Sequence, residues 1–329
     1  MASLPNLLKP ILWINRRNEK DVIDLYSSLT PFVQLALADS NNNMLNFGYW
    51  TQSAATPIEA QIELCRLVGE FADLQSAKKV IDLGSGFCAP AILWECMYDN
   101  NKNLDIICVD TNLKQLTAAL EKTTLPITTI DKSELFYMVN KNLEVSKPIK
   151  SISLVNAAAT RLPFADNCVD TIVALESAQH FKPLSRFLRE CRRVLIPKGL
   201  LVVAIPILGP NFSNQSFIRQ LTKLGILYFT WASEHYSLDK IKSAIVTQHF
   251  EIQKIQHIGH GVYEPCADYY IQNRQVLRQR LKTKAFPLTK SLLIELVERL
   301  IYISALKMKD SSQNEIIDYV LIKAVPATL

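Results

Sequence analysis

One stretch in the first third of the chain, Val80-Ile81-Asp82-Leu83-Gly84-Ser85-Gly86-Phe87-Cys88, sets a carboxylate and a glycine turn directly after an apolar run. Without a Cβ, Gly84 and Gly86 let the backbone reverse sharply and bring its N–H groups close to a ligand. A helix starting there points its free N–H groups, Ser85 included, into the same crevice. Asp82 places a carboxylate at the crevice mouth. Like charge disfavours a pyrophosphate there, whereas an amine or a sulfonium is attracted. Asp110 closes a second apolar run and is followed by Thr111, Asn112 and Gln115. Its two oxygens can accept both hydroxyls of a ribose, with Asn112 and Gln115 framing an adenine. A helix cap is the structural alternative for Asp110, and the two roles are compatible.

Two ligands compete for this pattern. Gly84-x-Gly86-x-x-Ala89 satisfies the dinucleotide fingerprint, and Asp110 follows at about the spacing that pattern wants. The Asp82 carboxylate and the organisation of the later segments favour S-adenosyl-L-methionine (SAM) instead.

A third group of residues faces the same crevice. Leu175 ends an apolar run and Glu176-Ser177-Ala178-Gln179-His180-Phe181 follows it. In doubly wound sheets the carboxyl ends of the strands form the ligand crevice, so Glu176 and His180 stand where a substrate would meet the cofactor. Histidine can take a proton from a hydroxyl near neutral pH. His180 is read as the base, with Glu176 orienting it or lining the pocket. The other histidines (235, 249, 257, 260) lack trusted metal-ligand spacing, His257-x-x-His260 being at most a partial site, and no metal is expected. Upstream, Asn46-Phe47-Gly48-Tyr49-Trp50 sets glycine inside an aromatic cluster. It is either a staple closing N-terminal helices over the sheet or a cover in which Tyr49 and Trp50 attract a sulfonium through their π faces.

Alternating elements must position these residues. Strands are expected over 79–83, 105–110, 151–155, 169–175 and 200–205, each rich in Val, Ile or Leu as in a sheet buried on both faces. Helices are expected over 89–98, 113–123 and 183–195, and Pro197-Lys198-Gly199 reads as a turn before the fifth strand. Runs at 250–258 and 316–325 read as sixth and seventh strands. Between them lie helical patterns at 267–284 and 288–309, the second with an apolar stripe of Leu292, Leu296, Leu300 and Ile303. The expectation is one domain: a core over about 46–258 and 316–325, with residues 259–315 as a helical cap or lid.

The chain has 329 residues, 49% of them apolar and 20% charged, with a net charge of +5. This is globular composition, too weakly basic to imply nucleic acid. Basic runs at 182–198 and 274–284 read as solvated helix faces, with an anionic substrate or membrane surface as the alternative. Seven scattered cysteines argue against disulfides and zinc and for a reducing, cytoplasmic compartment. The segment from Leu4 to Ile14 is too short and broken to span a bilayer, leaving a docked helix or a weak membrane-surface anchor.

From about Asn46 to Ala204 the sequence resembles the class I SAM-dependent methyltransferases. More narrowly it resembles the small-molecule group with macrolide sugar O-methyltransferases and tocopherol-type C-methyltransferases. The resemblance rests on the segments at 46–50, 80–86, 109–112, 160–166, 174–181 and 193–199, in order. It implies a seven-stranded, mostly parallel Rossmann-like α/β sheet, its last strand antiparallel, with helices on both faces and at the N-terminus. Members often place an Asp before the Leu162-Pro163-Phe164 segment, against the adenine amine. Here that stretch is Asn156-Ala157-Ala158-Ala159-Thr160, so the resemblance assigns adenine contacts to backbone near Ala158 and Ala159. Some relatives also set an Asp beside the histidine after the fifth strand, where this chain has Ala204-Ile205-Pro206.

The implied activity is methyl transfer from SAM to a small or medium, apolar, natural-product-like acceptor, O-methylation being favoured. C-methylation of a prenyl- or quinone-like acceptor is the alternative, with Glu176 and aromatic residues stabilising a cation. Tyr228, Phe229, Trp231, Tyr236, Tyr263, Tyr269 and Tyr270 are the candidate aromatic pocket. A non-catalytic SAM-fold binding subunit and an RNA methyltransferase using residues 274–284 are weaker readings. The oligomeric state stays open, a homodimer included.

Overall fold

The computed structural model describes residues 20–24, 26, 44–98, 104–124, 152–212, 235–284 and 291–328. Helix α1 (Pro57–Phe71) opens with a capping box: Thr56 Oγ1 accepts the Glu59 N–H while Glu59 Oε2 accepts the Thr56 N–H. There follow β1 (Lys79–Leu83), α2 (Ala89–Tyr98), β2 (Asp105–Asp110), α3 (Leu113–Thr124), β3 (Ile152–Asn156) and β4 (Val169–Leu175). Next come a 3₁₀ turn (Ala178–His180), α4 (Leu184–Val194), β5 (Leu195–Leu208), α5 (Leu238–Thr247) and β6 (Phe250–His257). Three helices, α6 (Gly259–Gln272), α7 (Arg274–Lys284) and α8 (Ser291–Gln313), separate β6 from β7 (Ile317–Pro326).

The strands form one sheet in the order β3-β2-β1-β4-β5-β7-β6, with β7 antiparallel to both neighbours. The α/β, Rossmann-like architecture expected from the sequence is the one observed. Chain progression reverses between β1 and β4, and such a switch point opens a crevice at the carboxyl ends of the strands. Alternation along β1 sends Val80 into one apolar layer and Ile81 and Leu83 into the other. The first layer takes Leu64 and Val68 of α1 and Trp94 of α2; the second takes Phe187 of α4 and Ile245 of α5. Phe187 is fully buried, which contributes roughly 1.5–3 kcal/mol over leaving it exposed.

Two local expectations change. Pro197-Lys198-Gly199 does not precede the fifth strand but lies inside it: Val169 pairs with Leu195 and Thr171 with Leu200, so residues 196–199 bulge opposite Asp170. Lys198 takes φ +68 there. On α8, Leu300 and Ile303 are exposed, and the buried positions include Glu298, Ala305, Met308 and Ser311. Ala305 and Met308 pack into the core, the side chains of Leu292 and Leu296 lie outside the described residues, and ion pairs add to the fastening of this helix. Arg274 and Arg278 of α7 pair with Glu298 and Glu295, and Lys309 Nζ meets Asp268 Oδ1 of α6 at 2.6 Å. These pairs account for two cations of the 274–284 run. In the 182–198 run, Arg193 binds Asp166, Glu190 and the carbonyls of Leu162 and Phe164, strapping down the 160–166 segment.

All seven cysteines are free thiols. Among the described residues no helix is long and apolar enough to cross a membrane. The segment from Leu4 to Ile14 lies outside the described residues.

Candidate active site

A partly open cavity lies at the switch point. Its floor is the turn after β1 (Gly84 to Phe87), the end of β2 (Val109 to Asn112) and the end of β4 (Leu175 to Ser177). Gly84 sits at φ +72, and a Cβ there would lie 2.4 Å from Ser177 Cβ. Ser177 Oγ in turn donates to the Leu83 carbonyl at 2.6 Å, pinning the β4 loop to β1. Gly86, at φ +54, has room for a Cβ, which would meet only Gln115 Oε1 at 3.8 Å, and it donates its N–H to Asp110 Oδ2 at 2.8 Å.

Asp110 Oδ1 accepts the Asn112 N–H at 2.7 Å. Each carboxylate oxygen thus keeps acceptor capacity after one backbone bond. Burial raises the Asp110 carboxyl from its ordinary value, against the hydrogen bonds from Asn112 and Gly86 that pull it down. The cap of α3 comes from Asn112, whose Oδ1 accepts the Gln115 N–H at 3.4 Å. Asn112 Nδ2 and Gln115 Nε2, on two buried cavity-lining residues, have no hydrogen-bond partner in the protein. Two buried amide donors without acceptors mark a place for a ligand with acceptor atoms.

Ser85, Thr111, Ala159 and Leu175 also line the cavity, whereas Asp82, Tyr49, Trp50 and Ala158 do not. Asp82 is only 2% exposed. It lies beneath the turn rather than at its mouth, because even spacing from Val80 sends its side chain to the layer of Cys65 and Cys108. Burial first, and Asp110 second, push its carboxyl up to about 7. The aromatic segment behaves as a staple. Tyr49 N–H donates to the Ala60 carbonyl and Trp50 N–H to the Gly261 carbonyl, each at 2.7 Å. The Tyr49 ring packs over Gly261, and Trp50 stacks on Tyr269 at 5.4 Å. Asn46 and Leu45 of this segment do line the cavity.

No residue of 259–315 lines it among those described. Val262, Tyr263 and Cys266 of α6 pack into the core instead. Of the candidate aromatic pocket, Tyr236 and Tyr263 are buried and, with Tyr269 and Tyr270, stand off the cavity. Tyr228, Phe229 and Trp231 lie outside the described residues. Part of the wall comes from Val22, Ile23 and Tyr26, residues 20–24 and 26 being helical. Nothing in the local sequence pointed to Tyr26, which meets its partner across 154 residues of chain.

That partner is His180, whose Nε2 lies 2.8 Å from the Tyr26 hydroxyl, the rings edge to face at 5.3 Å. Burial raises the Tyr26 phenol well above its ordinary value, and the Glu176 and Asp110 carboxylates add to the effect. Glu176 lines the cavity but reaches away from His180: its Oε1 accepts the Phe47 N–H at 3.0 Å. Burial pushes its carboxyl up to about 8, against that bond and the nearby Tyr319 hydroxyl. Glu176 also holds φ +49, a left-handed conformation that costs a non-glycine residue on the order of 1–3 kcal/mol and collects at functional sites. His257 and His260 are engaged by Asp318 (2.5 Å) and Glu264 (2.6 Å). Among the described residues no cluster could hold a metal ion.

Residues 81–203 match the methyltransferase domain family. The chain is a SAM-dependent methyltransferase with SAM as its cofactor. It is 24% identical over 252 residues to the erythromycin 3''-O-methyltransferase of Saccharopolyspora erythraea, covering 72% of each chain. Its fold is similar to that of the mycolic acid cyclopropane synthase CmaA1 complexed with SAH and CTAB, at 14% identity, TM-score 0.68, and coverage of 94% of this chain and 99% of that one. It is also similar to the [4+2]-cyclase SpnF, at 16% identity, TM-score 0.63, and coverage of 95% and 97%. These two likenesses concern the fold alone.

Proposed function

We propose that the enzyme methylates a hydroxyl of a small or medium, largely apolar acceptor, with His180 as general base. The observation that carries this is the His180 Nε2 at the cavity wall, already meeting an O–H, that of Tyr26, at 2.8 Å. An acceptor hydroxyl taking the place of the phenol would present its proton to the same nitrogen at hydrogen-bond distance.

The residues present fit SAM. Asp110 would accept the ribose hydroxyls with its remaining lone pairs, and Gly84 and Gly86 would let the backbone approach. Asn112 Nδ2 and Gln115 Nε2 would find acceptors on the adenine side, beside Ala157 and Ala159. SAM, when bound, supplies an electrophilic methyl group. The chain's own contribution is to align an acceptor beside it and keep water out. Val22, Ile23, Leu45, Phe87 and Phe181 give the cavity its apolar lining, which suits an apolar acceptor. Among the described residues that line it, no Lys or Arg is present, so an anionic acceptor finds no counter-charge.

The test is product analysis. Enzyme and SAM are incubated with hydroxylated apolar acceptors and with prenylated quinols, and the methyl is located by mass and NMR. O-methylation that is lost in His180→Asn supports the proposal. Methyl found only on carbon, or O-methylation indifferent to that substitution, overturns it.

A further inference from the structure

The chemistry above makes no use of Gln179, yet its amide joins Glu176 to His180. Gln179 Nε2 donates to the Glu176 carbonyl at 2.6 Å and stands 3.3 Å from His180 Nε2. The first contact fixes the amide's orientation, because an amide oxygen there would set two acceptors against each other. An amide nitrogen carries two hydrogens and accepts nothing. One hydrogen serves the carbonyl and the other faces the imidazole. A ring nitrogen opposite a donor must be bare, and the proton of the neutral ring then sits on Nδ1.

The frame around the amide is rigid. Gln179 is 5% exposed and shares the Ala178–His180 turn with its target. The His180 N–H donates to the Ser177 carbonyl at 2.9 Å, and the Glu176 N–H to the Ala204 carbonyl at 2.8 Å. Glu176, in its left-handed conformation, presents the carbonyl that orients Gln179. Among the described residues that line the cavity with His180, the other ionisable groups are Tyr26, Glu176 beyond β4 and Asp110 at the end of β2. The Tyr26 hydroxyl lies 2.8 Å from the same nitrogen and can donate to it or accept from it, so it does not by itself choose the tautomer. Gln179 lies in the same turn as His180, and at 3.3 Å its contact is long enough to yield the Nε2 lone pair to an acceptor's hydroxyl.

We propose that Gln179 is a positioning residue whose amide selects the His180 tautomer with Nε2 bare and turned to the cavity. This is the form able to receive an acceptor's proton. The proposal rests on reading His180 as the base.

The test combines ¹⁵N-histidine NMR with kinetics on the full chain, as wild type, Gln179→Met and Gln179→Glu, with His180→Asn to assign the signal. Wild type should show His180 protonated at Nδ1 alone near pH 8. Gln179→Met should give mixed tautomers and lower kcat severalfold, in proportion to the lost Nδ1–H tautomer, with acceptor KM nearly unchanged. Gln179→Glu, whose carboxylate favours the imidazolium, should move the acid limb of the kcat/KM profile up by about one pH unit or more. An unchanged tautomer and an unchanged pH profile in these variants overturn the proposal. Full activity in His180→Asn instead overturns the base assignment, while the tautomer readout still reports on Gln179.

Discussion

The Gly86 N–H donates to Asp110 Oδ2 at 2.8 Å, so the glycine turn after β1 and the carboxylate ending β2 form one hydrogen-bonded unit. Parallel pairing sets this up. Leu83 lies in register with Val109, and the Gly84 N–H then donates to the Val109 carbonyl at 2.7 Å. The turn therefore enters the crevice already fastened to the residue that would accept the ribose.

The two glycines of this turn should respond differently to alanine. At Gly84 a Cβ meets Ser177 Cβ at 2.4 Å, at φ +72. Left-handed strain of about 1–2 kcal/mol then adds to overpacking of about 1–3 kcal/mol. At Gly86 the Cβ would meet only Gln115 Oε1, at an ordinary 3.8 Å, so the strain of about 1–2 kcal/mol applies without overpacking. Chemical denaturation should show Gly84→Ala losing the greater stability. Equal losses would contradict the packing described.

Asp82 makes stability depend on pH. Its carboxyl is raised from 3.8 to about 7 by burial and by Asp110. A folded value above the unfolded one means the fold holds the proton more tightly, so this stability is present below about pH 4 and lost as pH rises to about 7. At about 1.4 kcal/mol per pH unit, the ionised carboxylate costs the fold on the order of 4 kcal/mol. Asp82→Asn should therefore gain Tm over wild type as pH rises from 5 to 8, measured without SAM by scanning calorimetry. Parallel Tm curves for the two proteins would contradict this.

Tyr26 is expected to guard His180 rather than react. Because an acceptor hydroxyl replaces the phenol at Nε2, Tyr26→Phe should leave kcat nearly unchanged, whereas His180→Asn should lower it by about 10²-fold or more. Steady-state kinetics with a turned-over acceptor checks this. A Tyr26→Phe loss as deep as that of His180→Asn would make the phenol part of the proton path.

The sheet was legible because buried parallel strands are local apolar runs: 79–83, 105–110 and 169–175 have the expected ends. The turn at Gly84 and Gly86 was legible for the same local reason, since only glycine takes that backbone with Ser177 at its back. Contacts assembled by the fold were not. Tyr26 reaches His180, and the Phe47 N–H reaches Glu176, across more than a hundred residues of chain. No spacing rule covers such distances. Asp82 shows a subtler difficulty, because the motif gives the residue type while the strand's alternation decides which face it joins.

The most direct test of the account is calorimetric SAM titration of wild type, Asp110→Ala and His180→Asn, each checked for folding. Asp110→Ala should weaken binding by about 10–100-fold, as the loss of hydrogen bonds to a charged group of about 1.5–3 kcal/mol implies. His180→Asn should bind SAM as wild type does, since its role falls on the acceptor. Unaltered affinity in Asp110→Ala, or affinity lost in His180→Asn, would contradict this division of the crevice.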